Sequence, residues 1–172
     1  MKATGIVRRI DDLGRVVIPK EIRRTMRIRE GDPLEIYTSK DGEVIFKKYS
    51  LMGGVDEFAA QLCETLSKST GTTVAVTDRD SVIAAAGSAR RDLIGKRISP
   101  QLEQIMEDRG IYRAVPNERS VFVTESLDRY CAAVAAPIIS EGDALGLVVF
   151  IGTDGSVGAG ETEYKLCLLY TS

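Results

Sequence analysis

The chain has 172 residues, 44% hydrophobic and 28% charged, with a formal net charge of −2 and neither histidine nor tryptophan. This is the profile of a folded globular protein rather than a disordered, collagen-like or disulfide-dense one. The apolar stretches 131–139 and 144–152 fall far short of the roughly 20 residues of a membrane span, and without histidine the Ser-His-Asp, Cys-His and HExxH chemistries are excluded.

Residues 3–10 alternate Ile6, Arg8 and Ile10 on one face with Val7 and Arg9 on the other, and Asp11-Asp12-Leu13-Gly14 is a turn signal. Arg15-Val16-Val17-Ile18 follows as a second short strand, and Pro19 opens a helix at the position where its missing N–H costs nothing. On that helix Ile22 and Met26 share an apolar stripe, whereas Lys20, Arg23, Arg24 and Arg27 lie on the adjoining face. Gly31-Asp32-Pro33 ends the unit, and strands at 34–38 and 43–49 flank the hairpin turn Lys40-Asp41-Gly42. The head is therefore expected as β-β-α-β-β within residues 1–50. So small a unit buries too little surface to be comfortable alone, and a homodimer through residues 1–50 is expected.

Residues 51–54 are a short glycine-containing joint to a second domain at 55–172. Val55, Phe58, Ala59, Leu62, Cys63 and Leu66 recur at helical spacing, with Asp56 and Glu57 in the first turn and Gly71 past the end. Strands are expected at 73–77 and 82–86, then a helix capped by Ser99-Pro100 that carries Leu102, Ile105 and Met106 and stops at Gly110. Strands at 120–124, 131–139 and 145–151 complete an α+β domain, an antiparallel sheet with helices on one side. Two such domain surfaces would allow a homotetramer, with the outer residues of the 55–66 helix packing between copies.

The charge is unevenly placed. Residues 1–50 carry 12 Lys/Arg against 8 Asp/Glu, whereas residues 51–172 carry 11 against 17. A basic head on an acidic body points to a polyanion-binding module. Arginine dominates it, at Arg8, Arg9, Arg15, Arg23 and Arg24, and the planar guanidinium suits phosphates and guanine edges. These five are the candidate nucleic-acid-binding residues. Three motifs fail on inspection. Gly95-Lys96 lacks the rest of a phosphate loop, with Arg90 and Arg97 in the required Gly and Ser/Thr places. Gly158-Ala159-Gly160 has Glu163 where a dinucleotide fingerprint needs glycine, and Asp78-Arg79-Asp80 has Val82 and Ile83 where a calcium loop needs a ligand and glycine. Cys63, Cys131 and Cys167 form no CxxC pair, so no zinc site, no other metal, no cofactor and no catalytic residue are expected.

Residues 1–24, with the core Leu13-Gly14-Arg15-Val16-Val17-Ile18-Pro19, resemble the AbrB family of bacterial transition-state regulators, and the likeness extends through Leu34-Glu35-Ile36-Tyr37 to Lys47-Lys48-Tyr49. The resemblance implies a swapped-hairpin β-barrel dimer that lays paired basic surfaces on double-stranded DNA, contacting it through Arg8, Arg9, Arg15, Arg23 and Arg24. Residues 136–139 and 142–150 resemble a GAF sensory domain, which implies a small-molecule ligand or an oligomerisation role. The pairing of the two is similar to regulators of endospore-forming bacteria that activate and repress late, forespore-stage genes. A pocket for such a ligand is expected between the sheet and the 87–99 connection, where Arg90, Arg91, Lys96 and Arg97 cluster.

The GAF resemblance implies a long closing helix, of which Glu161 onward is a short beginning. The last six residues, Cys-Leu-Leu-Tyr-Thr-Ser, also match one frame of a common transposase adapter, so a longer native chain without them is expected. Early charge ahead of any apolar segment predicts no secretion signal and a cytoplasmic location. Two rivals to the regulator are an antitoxin, built on the same swapped hairpin, and a GAF-type thiol reductase, which needs paired reactive cysteines.

Overall fold

The computed structural model describes residues 4–49, 52, 54–116, 118–153 and 161–170. It divides into two compact units, Met1–Tyr49 and Ser50–Ser172. The 51–54 joint, the Gly158-Ala159-Gly160 tripeptide and the last two residues lie wholly or partly outside the described residues, as do the side chains of 167–170.

The first unit contains helix α1 (Lys20–Met26) and a hairpin of β1 (Leu34–Thr38) with β2 (Val44–Lys48). Pro19 sits immediately before α1, and the Asp41-Gly42 turn joins the strands, with Gly42 in the left-handed region at φ +80°. Residues 4–19 depart from the expectation of two strands. They make the turn, where the Asp11 N–H donates to the Arg15 carbonyl at 3.0 Å, but no strand is assigned along them. The apolar alternation that predicts strands is present, but a strand needs a laddered neighbour. Ile6, Val7, Ile10, Leu13, Val16 and Val17 are all exposed.

The second unit is built on a six-stranded antiparallel sheet. Its strands are β3 (Thr73–Thr77), β4 (Val82–Ala86), β5 (Tyr112–Arg113), β6 (Phe122–Thr124), β7 (Leu127–Ser140) and β8 (Asp143–Thr153). The order runs β4-β3-β8-β7-β5, with β6 also paired to β7. Helices α2 (Asp56–Thr70), α3 (Arg90–Leu93), α4 (Pro100–Glu107) and α5 (Glu161–Tyr170) complete it. The sequence reading missed α3 and β5, each too short to show a period.

A second difference concerns the layers. The helices cover both faces of the sheet. Ala59, Cys63 and Leu66 of α2 pack with Val74, Val76, Val148 and Phe150 on one face, joined by Tyr164 and Leu166 of α5. Leu93, Ile98, Leu102 and Met106 pack with Ala75, Ala135, Leu147 and Val149 on the other. The signal was in the strands: Thr73–Thr77 is buried at every position, as a strand covered on both sides must be, rather than at alternate ones.

Ser99 ties the second layer together. Its hydroxyl accepts from the Leu102 N–H at 3.2 Å as the helix cap and donates to the Phe122 carbonyl at 2.6 Å, linking α4 to β6. A cap of this kind contributes about 1 kcal/mol. The 87–99 connection lies against the sheet with Ala89, Leu93 and Ile98 buried, so the place where a ligand pocket is expected is packed by the connection's own side chains.

Candidate nucleic-acid interface

The five arginines all belong to the first unit. Arg8 and Arg9 are exposed on the arm before the turn, and Arg15 stands just after it. The turn is organised by Asp11, which the sequence alone marks only as a turn former. Its carboxylate accepts from the Arg15 backbone N–H at 2.8 Å, from the Leu13 N–H at 3.0 Å and from the Arg15 Nε at 2.8 Å. The Arg15 N–H, followed by the Arg15 guanidinium, holds the Asp11 carboxyl below its ordinary value. These bonds are therefore fully in place above the ordinary carboxylate range and are lost only as pH falls through the lowered value. The Arg15 side chain remains 68% exposed, so this pairing orients its guanidinium while leaving it accessible.

Arg23 and Arg24 lie in the last turn of α1, which ends where Arg27 adopts a left-handed conformation at φ +50°. Arg24 is exposed, and Arg23 is half-buried with its Nε enclosed and unbonded among the described residues. Behind α1, Lys48 donates to the Arg27 carbonyl at 3.1 Å and approaches the buried Asp32 carboxylate at 3.5 Å. Asp32 also accepts from the Arg29 N–H at 2.8 Å. This lock holds the helix exit against β2, and in the sequence it is visible only as Gly-Asp-Pro.

Between the arm, α1 and β2 lies a cleft of about 660 Å³, lined by Ile6, Arg8, Val17, Ile22, Val44 and Phe46 among others. Arg8 thus stands at the rim of an apolar groove whose other wall is the helix that carries Arg23 and Arg24. The arrangement supplies fixed cations for phosphates and an apolar seam beside them. No cluster of three or more metal-ligating side chains occurs among the described residues.

Cys63 and Cys131, the thiols that a reductase would use, are both fully buried. Burial pushes the Cys63 thiol up to about 12, so almost none is thiolate at neutral pH. Iodoacetamide at pH 8 is expected to leave both residues unmodified in the native protein and to label them after unfolding, as read by peptide mass mapping. Rapid native labelling of either would restore the reductase reading.

The chain thus joins a basic unit with a helix and hairpin to a sheet covered on both faces. Comparison with known proteins identifies the family of each part. Residues 54–170 match the family described as stage V sporulation protein T C-terminal, transcription factor, and residues 7–51 match the antidote-toxin recognition MazE family of bacterial antitoxins. The chain is 48% identical over 166 residues to stage V sporulation protein T of Bacillus subtilis (strain 168), spanning 96% of this chain and 92% of that protein. The head alone is 63% identical over 49 residues to the transition state regulatory protein AbrB of the same organism, covering 28% of this chain and half of that one. It is 43% identical over 53 residues to the putative transition state regulator Abh, covering 31% and 56%. The chain belongs to the stage V sporulation protein T family of transcription factors. No helix among the described residues is long and apolar enough to cross a membrane.

Proposed function

We propose that the protein regulates late, forespore-stage sporulation genes, as activator and repressor, by binding double-stranded DNA through a homodimer of residues 1–50. In this reading each arm lies on the partner copy, closing a swapped-hairpin barrel, and Arg8, Arg9, Arg15, Arg23 and Arg24 of both copies contact the duplex. The observation that carries it is the arm itself. Six apolar side chains stand exposed beside an apolar cleft, and full burial of each is worth roughly 1.5 kcal/mol or more. A second copy of the same segment supplies both the missing strand partners and the apolar cover.

The outer face of α2, where Phe58 is 67% exposed, supports a further association of dimers into a homotetramer through residues 55–172. A small-molecule ligand in that domain has only the Thr124 hydroxyl in its favour, buried and unbonded among the described residues beside Ile98, since Ala89, Leu93 and Ile98 fill the place where its pocket is expected. The antitoxin alternative shares the head, but the family matched over 54–170 favours the regulator.

Assembly is the test. Sedimentation of the whole chain at micromolar concentration is expected to give a dimer or larger, and Val7→Asp with Val17→Asp is expected to give a monomer. Those two residues are 86% and 68% exposed within their own chain, so the change falls mainly on a partner. A monomeric parent refutes the interleaved head, and a toxin co-purifying with the protein would revive the antitoxin.

A further inference from the structure

Residues 90–97 hold Arg90, Arg91, Lys96 and Arg97, although residues 51–172 as a whole are acidic, with 17 Asp/Glu against 11 Lys/Arg. The fold displays these four. All are exposed, Arg90 and Arg91 opening α3 and Lys96 and Arg97 following the Gly95 turn. None of them has a side-chain hydrogen bond or ion pair with another described residue.

The acids that could neutralise this edge are engaged otherwise. Asp92 pairs with Arg129 of β7 and accepts from the Tyr130 hydroxyl at 2.5 Å. Lys96 also lowers the Asp92 carboxyl electrostatically, and the Arg129 side chain paired with it is 62% exposed. Glu125, whose N–H donates to the Arg97 carbonyl, has its own partner. The inner side of the connection is filled by Ala89, Leu93 and Ile98. Only the outer, cationic side is open, and small ligands are held by concave, mostly apolar pockets rather than by such surfaces.

We infer that the edge formed by Arg90, Arg91, Lys96, Arg97 and Arg129 is a second, sequence-independent contact with the DNA backbone, engaging duplex that flanks the segment held by residues 1–50. The inference rests on the DNA reading of the head. Guanidinium forks pair bidentately with phosphate oxygens. Arg90, Arg91, Lys96 and Arg97 have no side-chain hydrogen bond or ion pair with a described residue to give up, whereas Arg129 already holds Asp92. The rest of residues 51–172 carries 17 Asp/Glu against six further Lys/Arg spread along the chain, a balance that disfavours duplex away from this edge. Because the units are continuous at Tyr49–Ser50, DNA held by the head reaches an effective concentration of about millimolar at the second domain. At that concentration individually weak backbone contacts are occupied.

The experiment compares the whole chain with its Arg90→Gln, Arg91→Gln, Lys96→Gln, Arg97→Gln variant on two duplexes, one matching the head's footprint and one longer by about one helical turn at each end. Affinity is followed from about 50 to 200 mM salt. The variant is expected to bind the long duplex about tenfold more weakly, with a salt slope shallower by about two, and to bind the short one as the parent does. Arg91→Glu alone, with an unchanged melting temperature, should weaken the long duplex more than Arg91→Gln. Equal affinity and slope on the long duplex overturn the inference. So does a changed oligomeric state at constant slope, which would assign the edge to a protein partner. A parent that binds neither duplex refutes the DNA reading of residues 1–50 itself, a result distinct from either.

Discussion

Replacing Arg15, Arg23 and Arg24 together by alanine is expected to lower affinity for double-stranded DNA by at least about a hundredfold at moderate salt while leaving the protein folded. In a two-fold dimer the triple variant removes six cations from the interface. Even about half a kcal/mol at each would multiply to two orders of magnitude. If all six face phosphates, the log–log salt slope should become shallower by about five, since each contact contributes about 0.9. The fold has little to lose. The Arg15 side chain is 68% exposed and Arg24 is exposed, and the enclosed Arg23 Nε makes no bond among the described residues whose loss would cost stability. The strongest structural consequence should be at the turn, where Asp11 loses the guanidinium but keeps the backbone N–H groups of Leu13 and Arg15. Fluorescence anisotropy against salt, beside a melting curve, reads both quantities. A folded triple variant with parental affinity would falsify this DNA surface.

Gly146→Ala is expected to produce the largest loss of stability of any single methyl group added to the second unit. Gly146 lies on β8 opposite Ile138, at the level where β3 ends and the chain bends into the Asp78–Ser81 turn. A Cβ built there would overlap the Thr77 carbonyl oxygen, lie 2.9 Å from its carbonyl carbon and 3.2 Å from the Asp78 Cα. These are backbone atoms and cannot swing aside as a flexible side chain would. Thr77 is also pinned to the same strand by its hydroxyl, which accepts from the Leu147 N–H at 3.2 Å. The methyl must therefore separate β3 from β8 or disturb the turn. A cost of about 3 kcal/mol, the upper part of the usual over-packing range, is expected, lowering the melting temperature by on the order of 10 °C. Calorimetry is the measurement. An unchanged transition would mean that β3 and β8 are less closely apposed than described.

Much of this fold was legible in the sequence because long elements announce themselves. The 55–66 apolar stripe marks α2, Ser99-Pro100 marks the start of α4, and Asp41-Gly42 marks the β1–β2 turn. What escaped was either short or non-local. Four residues of α3 and two of β5 cannot display a period, and the second helical layer follows from which face Leu93 and Leu102 choose, a tertiary matter. Around the candidate site, composition exposes the arginines but not their supports. Asp11 and Asp32 look like ordinary turn residues until the Arg15 and Lys48 side chains reach them across 4 and 16 positions. The arm shows the opposite limit. Alternation in 3–10 and 15–18 predicts two strands that the described residues do not form, because a strand exists only where another backbone completes its hydrogen bonds.

The sheet order carries a consequence for how the chain is made. Strand β3 lies between β4 and β8, and the Thr77–Leu147 contact joins positions 70 residues apart. During synthesis β3 and β4 leave the ribosome early and can form their hairpin at once, but the other edge of β3 has nothing to pair with until β8 emerges. Throughout that interval a run of Thr-Val-Ala-Val-Thr, destined for burial at every position, presents an open edge and two apolar faces. Such a segment associates readily with copies of itself on neighbouring nascent chains. Slow translation of the 78–142 stretch would lengthen that exposure, and rapid delivery of the β7–β8 hairpin would end it.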